Sequence, residues 1–250
     1  MTQPKITPLH EDTTFHGPLS EERAARLIGS LGPFDGAHVV DLGCGWAEML
    51  LRIVAADPTA TGLGVDRDEE AIEHGRANAR ERGLADRVEL VVGDVGEWDE
   101  TQADVLIVNG SSQVWGGDPL VHTENALRNA HRILRPGGRL LLGECFWERE
   151  PTDAQLAAMP VPKEQYRSLA GLVDFAIGHG FRLLWLEQAS LDEWDEFESR
   201  HGLAWEHWLL ANPDSPHADE IRAKADRQRN FRLHGWRATM GLAYLTLVRP

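Results

Sequence analysis

The chain is short of cysteine, of basic charge and of long apolar runs. Its 250 residues hold two cysteines, Cys44 and Cys145, too few for a disulfide framework and suited to a reducing compartment. Twenty-five Lys and Arg stand against 40 Asp and Glu, a formal net charge of −15. A surface of that sign repels nucleic acid and anionic membranes. No stretch approaches the ~20 apolar residues of a membrane span, and the N-terminus shows no basic segment followed by an apolar core. Internal repeats are lacking, as are the His-Glu-x-x-His helix or cysteine cluster that would hold zinc. These absences lead to the expectation of a cytoplasmic protein of unspecified oligomeric state, with no metal, no nucleic-acid partner and no membrane partner.

What is present is enough apolar content, 42%, for one large α/β domain. Residues 1–19 carry three prolines and no periodicity, an irregular arm. Ser20 caps a helix over 21–31, stopped by Gly32-Pro33. Strands and helices then alternate: strand 37–41, helix 46–56, strand 61–66, helix 68–82, strand 87–93, a weak helix over 95–103 and strand 104–109. Asp118-Pro119 opens a helix running to about Leu134, and Pro136-Gly137-Gly138 turns into strand 139–144. A helix near 164–179, strand 181–188 and a last strand 241–248 complete the series. Such alternation predicts a doubly wound, mostly parallel seven-stranded α/β sheet covered on both faces.

One stretch interrupts it. Ser190-Leu191-Asp192-Glu193 is a capping-box pattern. Trp194, Phe197, His201, Trp205 and Trp208 follow at helical spacing, and a polar helix begins after Ser215-Pro216. The expected organisation is therefore an N-terminal arm and helix over 1–36, a core over 37–189, a helical lid insertion over 190–238, and the last strand of the core over 239–250. A basic run, Arg227, Arg229, Arg232, His234 and Arg237, closes the insertion. Pairing with the acids Asp195, Glu196 and Glu198 is the simpler reading of it; recognition of a substrate carboxylate or phosphate is the alternative.

The most informative segment is Val-Val-Asp-Leu-Gly-Cys-Gly at 39–45, an apolar strand end followed by an acid and a glycine turn into a helix. Gly43 and Gly45 let backbone approach a ligand, and a helix N-terminus offers unpaired N–H groups. Glu48 stands where a dinucleotide fingerprint has its third glycine, and Asp41 suits a positively charged ligand better than a pyrophosphate. Asp66 closes the next strand, about twenty residues past the turn, where a carboxylate can accept both hydroxyl protons of a ribose. Asp94 ends the third strand and Asn109 the fourth.

The order Asp41-x-Gly43-x-Gly45, Asp66, Asp94 and Arg135-Pro136-Gly137-Gly138-Arg139, over about residues 37–145, resembles the class I S-adenosylmethionine-dependent methyltransferases. Many members carry a further glycine where this chain has Ala47. The resemblance implies S-adenosyl-L-methionine as cofactor, held by Asp41, Gly43, Cys44, Gly45, Asp66, Arg67, Asp94, Val95 and Asn109, with Asp94 accepting from the adenine amino group and the Val95 N–H meeting a ring nitrogen. It implies in-line methyl transfer, in which proximity and alignment do most of the work. Asn109-Gly110-Ser111-Ser112 lacks the Pro-Pro-aromatic sequence of base amino-methylases, and Asn109 replaces the carboxylate of the magnesium-dependent relatives. A general base is needed only for an acceptor that must lose a proton. Glu144, His16 and His234 are its candidates, with Asn109, Ser111 and His122 as further polar groups. Ser111, Trp115, Phe146, Trp147 and Trp236 are the expected substrate-lining residues. A small-molecule acceptor is the expected partner. A protein acceptor, less readily RNA, and a cofactor-binding protein that does not methylate are the alternatives.

Overall fold

In a computed structural model the described residues are 6, 11–97 and 102–250. Helix α1 (Glu21–Leu31) starts where the Ser20 hydroxyl accepts the Arg23 N–H at 3.3 Å, with Glu21 and Glu22 in its first turn. Both features favour a helix N-terminus. The chain then runs through β1 (His38–Leu42), α2 (Glu48–Ala56), β2 (Thr61–Asp66), α3 (Glu69–Glu81), β3 (Val88–Val92), β4 (Ala103–Asn109), α4 (His122–Ile133) and β5 (Leu134–Trp147). It continues through α5 (Asp153–Ala158), α6 (Leu169–Gly178), β6 (Arg182–Gln188), α7 (Leu191–Ala211), α8 (Ala218–Asn230), a π-helical segment (Phe231–Trp236) and β7 (Met240–Val248).

The seven strands form one sheet in the order β3-β2-β1-β4-β5-β7-β6. All neighbours are parallel except β7, which runs antiparallel between β5 and β6. The chain winds outward from β1 to β3, then returns to β4 beside β1. Ligands bind at such a reversal, outside the C-terminal ends of the strands. Val39, Leu50, Ile53 and Ile72 pack with Ala24 and Leu27 on one face of the sheet. Val40, Leu106 and Leu142 pack with Leu127, Leu172 and Ala176 on the other. Successive strand residues alternate between the two clusters, as a sheet covered on both sides requires.

Several elements differ from the sequence expectation. β5 reaches Trp147 rather than ending at Glu144, because β7 pairs along it from Arg139↔Val248 to Trp147↔Met240. Helix α5 was not expected. Thr152 and Gln155 form a reciprocal capping box that starts it, a pattern readable as Thr-x-x-Gln. The helix expected near 164–179 is shorter because Ser168 caps it, its hydroxyl accepting the Gly171 N–H at 3.2 Å. Val95–Glu97 is a single 3-10 turn, and residues 98–101 of the weak helix expected there lie outside the described residues.

The insertion between β6 and β7 holds α7, α8 and the π-helical segment. Its first turn is tied to α1: the Arg23 Nε donates to both Glu193 oxygens at 3.0 Å, and the Ser20 N–H donates to Glu193 Oε1 at 3.0 Å. Burial opposes ionisation of Glu193, but these donors hold its carboxyl down at about 2. The basic run largely follows the simpler reading. Arg232 and Arg237 both clamp Asp195, and Arg229 meets Asp226. No described helix is long and apolar enough to cross a membrane, and no three described metal-ligating side chains cluster.

Candidate active site

A cavity of about 390 Å³ opens at the tips of β1, β2 and β4, where the strand order reverses. Loop 43–47 forms its floor. Gly43 has φ +74°, and a Cβ there would stand 2.5 Å from Ser111 Cβ and 2.9 Å from Val114 Cγ1. Only glycine combines that backbone with that approach. Gly45 and Ala47 are also left-handed, at φ +55° and +60°. Three left-handed residues in a row of five delay the helix, so α2 starts at Glu48 and not at the expected Trp46. Ala47 holds the conformation at a cost a glycine would not bear.

Asp41, Gly43, Cys44, Asp66, Arg67, Val95, Asn109, Ser111 and His16 all line this cavity. Asp66 Oδ2 accepts the Gly45 N–H at 2.7 Å and Oδ1 accepts the Asp68 N–H at 2.9 Å. Each oxygen keeps a lone pair for a ligand. Gly45 thus acts through its N–H and does not itself wall the cavity. Asp94 sits beside it, its Oδ2 accepting from Arg67 Nη2 at 2.6 Å and its Oδ1 from the Gly96 N–H at 2.8 Å. The Arg67 guanidinium holds the Asp94 carboxyl below its usual range. Asn109 Oδ1 is buried with no hydrogen-bond partner among the described residues. It lies over Gly143, where any Cβ would collide with it. Asp41 is 4% exposed, and burial, with Asp66 nearby, pushes its carboxyl up to about 8. Burial also pushes the Cys44 thiol up.

The N-terminal arm supplies a wall. Phe15 and His16 line the cavity. The Trp46 indole donates to Thr14 O at 2.8 Å, and the His16 ring stacks on it at 4.9 Å and 11°. Arg52 lies 4.7 Å over the Phe15 ring, and Tyr244 donates to Pro18 O at 2.9 Å. Burial lowers the His16 pKa, so the ring is neutral at pH 7. Neither ring nitrogen has a hydrogen-bond partner among the described residues.

Several expected site residues lie elsewhere. Glu144 alternates along β5 with Leu142 and Phe146, so it faces α4 on the opposite side of the sheet from Asp41. There it accepts from Thr123 Oγ1 at 3.2 Å and from the Cys145 N–H at 3.0 Å, and burial raises its pKa. Phe146 is 2% exposed in that same core, and Trp115 packs against it. Phe146 is expected outside a strand only because the sequence reading ends β5 at Glu144; Trp115 lies in the 3-10 turn Ser112–Trp115 before α4. Trp147 donates its indole N–H to Lys163 O at 2.8 Å and meets Tyr166 edge-on. His234 is exposed on the π-helical segment, and Trp236 lines a separate cavity under the insertion. His122 is half-buried beside Gly117 O, outside the cavity. The cavity has walls the sequence did not mark: Phe15, Trp46, Glu48, Met49, Ile107 and Val114. Glu48 is buried between Arg52 at 2.7 Å and Arg82 at 2.8 Å. A glutamate in the first turn of a helix ordinarily reads as a solvated charge favouring the N-terminus, so nothing in the sequence marks Glu48 as buried.

The profile of the family described as a methyltransferase domain matches residues 33–197. The chain belongs to the class I S-adenosylmethionine-dependent methyltransferases. It is 31% identical over 228 residues to protein YjhP of Escherichia coli (strain K12), 90% of each chain being covered. A SAM-dependent methyltransferase from Geobacter sulfurreducens, solved in complex with S-adenosyl-L-homocysteine, superimposes with a TM-score of 0.83. It is 27% identical, with 97% of this chain and 96% of that one covered. The 27-O-demethylrifamycin SV methyltransferase of Amycolatopsis mediterranei is 32% identical over 137 residues, 53% of this chain and 47% of that enzyme. This chain thus spans about half the length of that relative.

S-adenosyl-L-methionine is the cofactor of this methyltransferase, and the strand-tip cavity fits it chemically. The cavity offers the Asp41 and Asp66 carboxylates to a cation, the Asn109 side chain, and a turn whose backbone Gly43 leaves open. If the cofactor's cation lies beside Asp41, its binding is pH-dependent: the cation favours the carboxylate, so loading expels a proton below about pH 8. Calorimetry should therefore find affinity rising by up to about tenfold per pH unit toward pH 8 and flat above it. Asp41→Asn should flatten the profile; a flat profile in the unmodified protein would overturn the assignment. The cofactor-free protein should behave in the opposite sense. With the folded pKa of Asp41 above its unfolded value, the native state binds the extra proton, and stability falls as pH rises from about 4 to 8.

Proposed function

We propose that this methyltransferase acts on a small-molecule acceptor, and that Asp41, Gly43, Cys44, Gly45, Asp66, Arg67, Asp94, Val95 and Asn109 hold the cofactor. The observation that carries the acceptor class is the arm. Phe15 and His16 stand over the strand tips, so the acceptor meets the methyl group inside a walled cavity and not along an open groove. The net charge of −15 disfavours RNA. The named small-molecule substrate of the rifamycin-modifying relative points the same way.

The bound cofactor supplies an electrophilic methyl on a sulfonium whose departure needs no acid. The protein's own residues align and exclude. Asp66 would hold the ribose through its two remaining lone pairs, Asp41 and Asn109 would stand toward the positive end, and Phe15 and Trp46 would keep water from the reacting atoms. His16, neutral and without a hydrogen-bond partner among the described residues, accepts the proton when the acceptor loses one. Glu144, on the far side of the sheet, takes no part in this reading.

Incubating the protein with methyl-labelled cofactor and a cell extract tests the acceptor class. Label should enter a low-mass fraction that survives ultrafiltration and protease or nuclease treatment. Label in protein or RNA, or no transfer beyond background, overturns the reading.

A further inference from the structure

Phe197, His201 and Trp205 follow one another four residues apart along α7, on one side of the helix. The His201 ring lies 6.0 Å from that of Phe197 and meets Trp205 edge-on at 5.3 Å. All three are half-buried, and neither Phe197 nor Trp205 joins a core cluster of the sheet. Other residues anchor the helix: Glu193 through Ser20 and Arg23, Asp195 through Arg232 and Arg237, and Glu198 through Gln228. A row of touching rings left partly open to solvent is a surface for recognition.

A side pocket of about 260 Å³ lies between this part of α7 and the N-terminal arm. Glu193, Glu196, Phe197 and Arg200 line it from the helix, Phe15 and Leu19 from the arm. Phe15 also lines the cofactor cavity, so the two spaces adjoin there. Beyond Phe197, His201 is close enough to His16 for a charge on one ring to oppose a charge on the other. The row of rings therefore leads from the side pocket to the histidine on the wall of the cofactor cavity. The charges of the pocket are engaged with one another. Arg200 donates to Glu196 Oε1 at 2.9 Å and to the Asp12 carbonyl at 2.6 Å. Glu21, in the same wall, receives Arg52 Nη2 at 2.9 Å. Among the described lining residues the acids Asp12, Glu21, Glu193 and Glu196 stand against the single base Arg200.

We propose that the methyl acceptor is a flat, ring-bearing molecule without negative charge, seated between the arm and α7 with its rings against Phe197 and His201 and its reacting atom toward His16. This rests on the reading of a small-molecule acceptor and names its chemical class. Aromatic rings in offset or edge-on contact gain more than apolar burial alone supplies, so a planar ring system is preferred to a saturated one of similar size. The acids of the wall repel an anion and give nothing back for its lost hydration. The volume suits two fused rings. Phe197 and His201 set specificity in this arrangement and take no part in the transfer itself.

The test uses the full chain with ¹⁵N-labelled tryptophan, with and without S-adenosylhomocysteine, and naphthol as probe. The Trp205 indole signal, assigned through Trp205→Phe, should shift saturably with a Kd below about 1 mM. Naphthoate should bind at least about tenfold more weakly, and decahydronaphthol at least about threefold. Phe197→Leu should weaken naphthol about fivefold, while Phe197→Tyr, which keeps the ring, stays within about twofold. S-adenosylhomocysteine affinity should be unchanged in both variants. An unmoved signal up to about 2 mM naphthol, equal binding of naphthoate or decahydronaphthol, equal loss in the two Phe197 variants, or displacement of naphthol by S-adenosylhomocysteine would each overturn the proposal. Failure of S-adenosylhomocysteine to bind would strike the cofactor assignment, and the titration of the unloaded chain would still decide this one. In the labelled extract, a low-mass product without a ring overturns this inference alone, whereas label in protein or RNA overturns the small-molecule reading beneath it.

Discussion

Replacing His16 with asparagine should lower methyl transfer into the acceptor fraction by about 100-fold or more, the usual contribution of a positioned base. S-adenosylhomocysteine affinity should stay within about threefold, because the imidazole sits on the wall of the cavity and not in its floor. Three features of the ring support this. The ring lines the cavity, it stacks on Trp46, and it has no hydrogen-bond partner among the described residues. Gly45 makes the placement possible: a Cβ there would stand 3.2 Å from His16 Nδ1. Burial lowers the His16 pKa, while Asp66 and Asp68 pull the other way. The acid limb of the pH–rate profile should accordingly fall below the ordinary histidine value of about 6.5 and disappear in the variant. Should the variant lose cofactor affinity and transfer in equal proportion, His16 would be a binding residue and not a proton acceptor.

Asp66→Ala should weaken S-adenosylhomocysteine on the order of 100-fold, about 3 kcal/mol, by calorimetry. The carboxylate has one lone pair committed on each oxygen, to the N–H groups of Gly45 and Asp68. It has one left on each for a pair of vicinal hydroxyls. Hydrogen bonds to a charged group contribute roughly 1.5–3 kcal/mol each. The alanine variant loses both and also releases the Gly45 N–H, loosening the turn that carries the cavity floor. Asp66→Asn keeps one acceptor and should fall between. A loss of less than about fivefold in Asp66→Ala would remove Asp66 from the ribose site, since two such bonds exceed that many times over.

Much of the core was legible because its signals are local. Short apolar runs bounded by turns marked β1 to β4, and Asp68 and Ser190 marked the starts of α3 and α7. The chain order of Asp41, Gly43, Asp66 and Asn109 located one sheet edge. What the sequence hid is non-local. The length of β5 is set by β7, a strand about a hundred residues away. Misreading its end moved Phe146 and Trp147 from strand to loop and put Glu144 at a rim it does not occupy. A two-residue period also decides the face a side chain takes, and Glu144 falls on the wrong one for the cavity. The arm is a similar case. Nothing in residues 11–19 is periodic, and its place comes from contacts made by Trp46, Arg52 and Tyr244. The cofactor loop shows the converse. Ala47 departs from the family's glycine, yet the backbone keeps the left-handed turn.

The excursion from β6 to β7 leaves and re-enters the sheet between adjacent strands, and the Ala189 N–H donates to Leu242 O at 2.9 Å across its neck. With its two stems stitched together, the segment is a closed purse, held to the rest of the chain also through Glu193 on Ser20 and Arg23. Lengthening such a loop raises its closure entropy only logarithmically, about 0.6 kcal/mol per doubling. Trimming, swapping or enlarging the helices beyond Glu193 should leave the seven-stranded sheet folded, which makes this neck a natural seam for domain exchange.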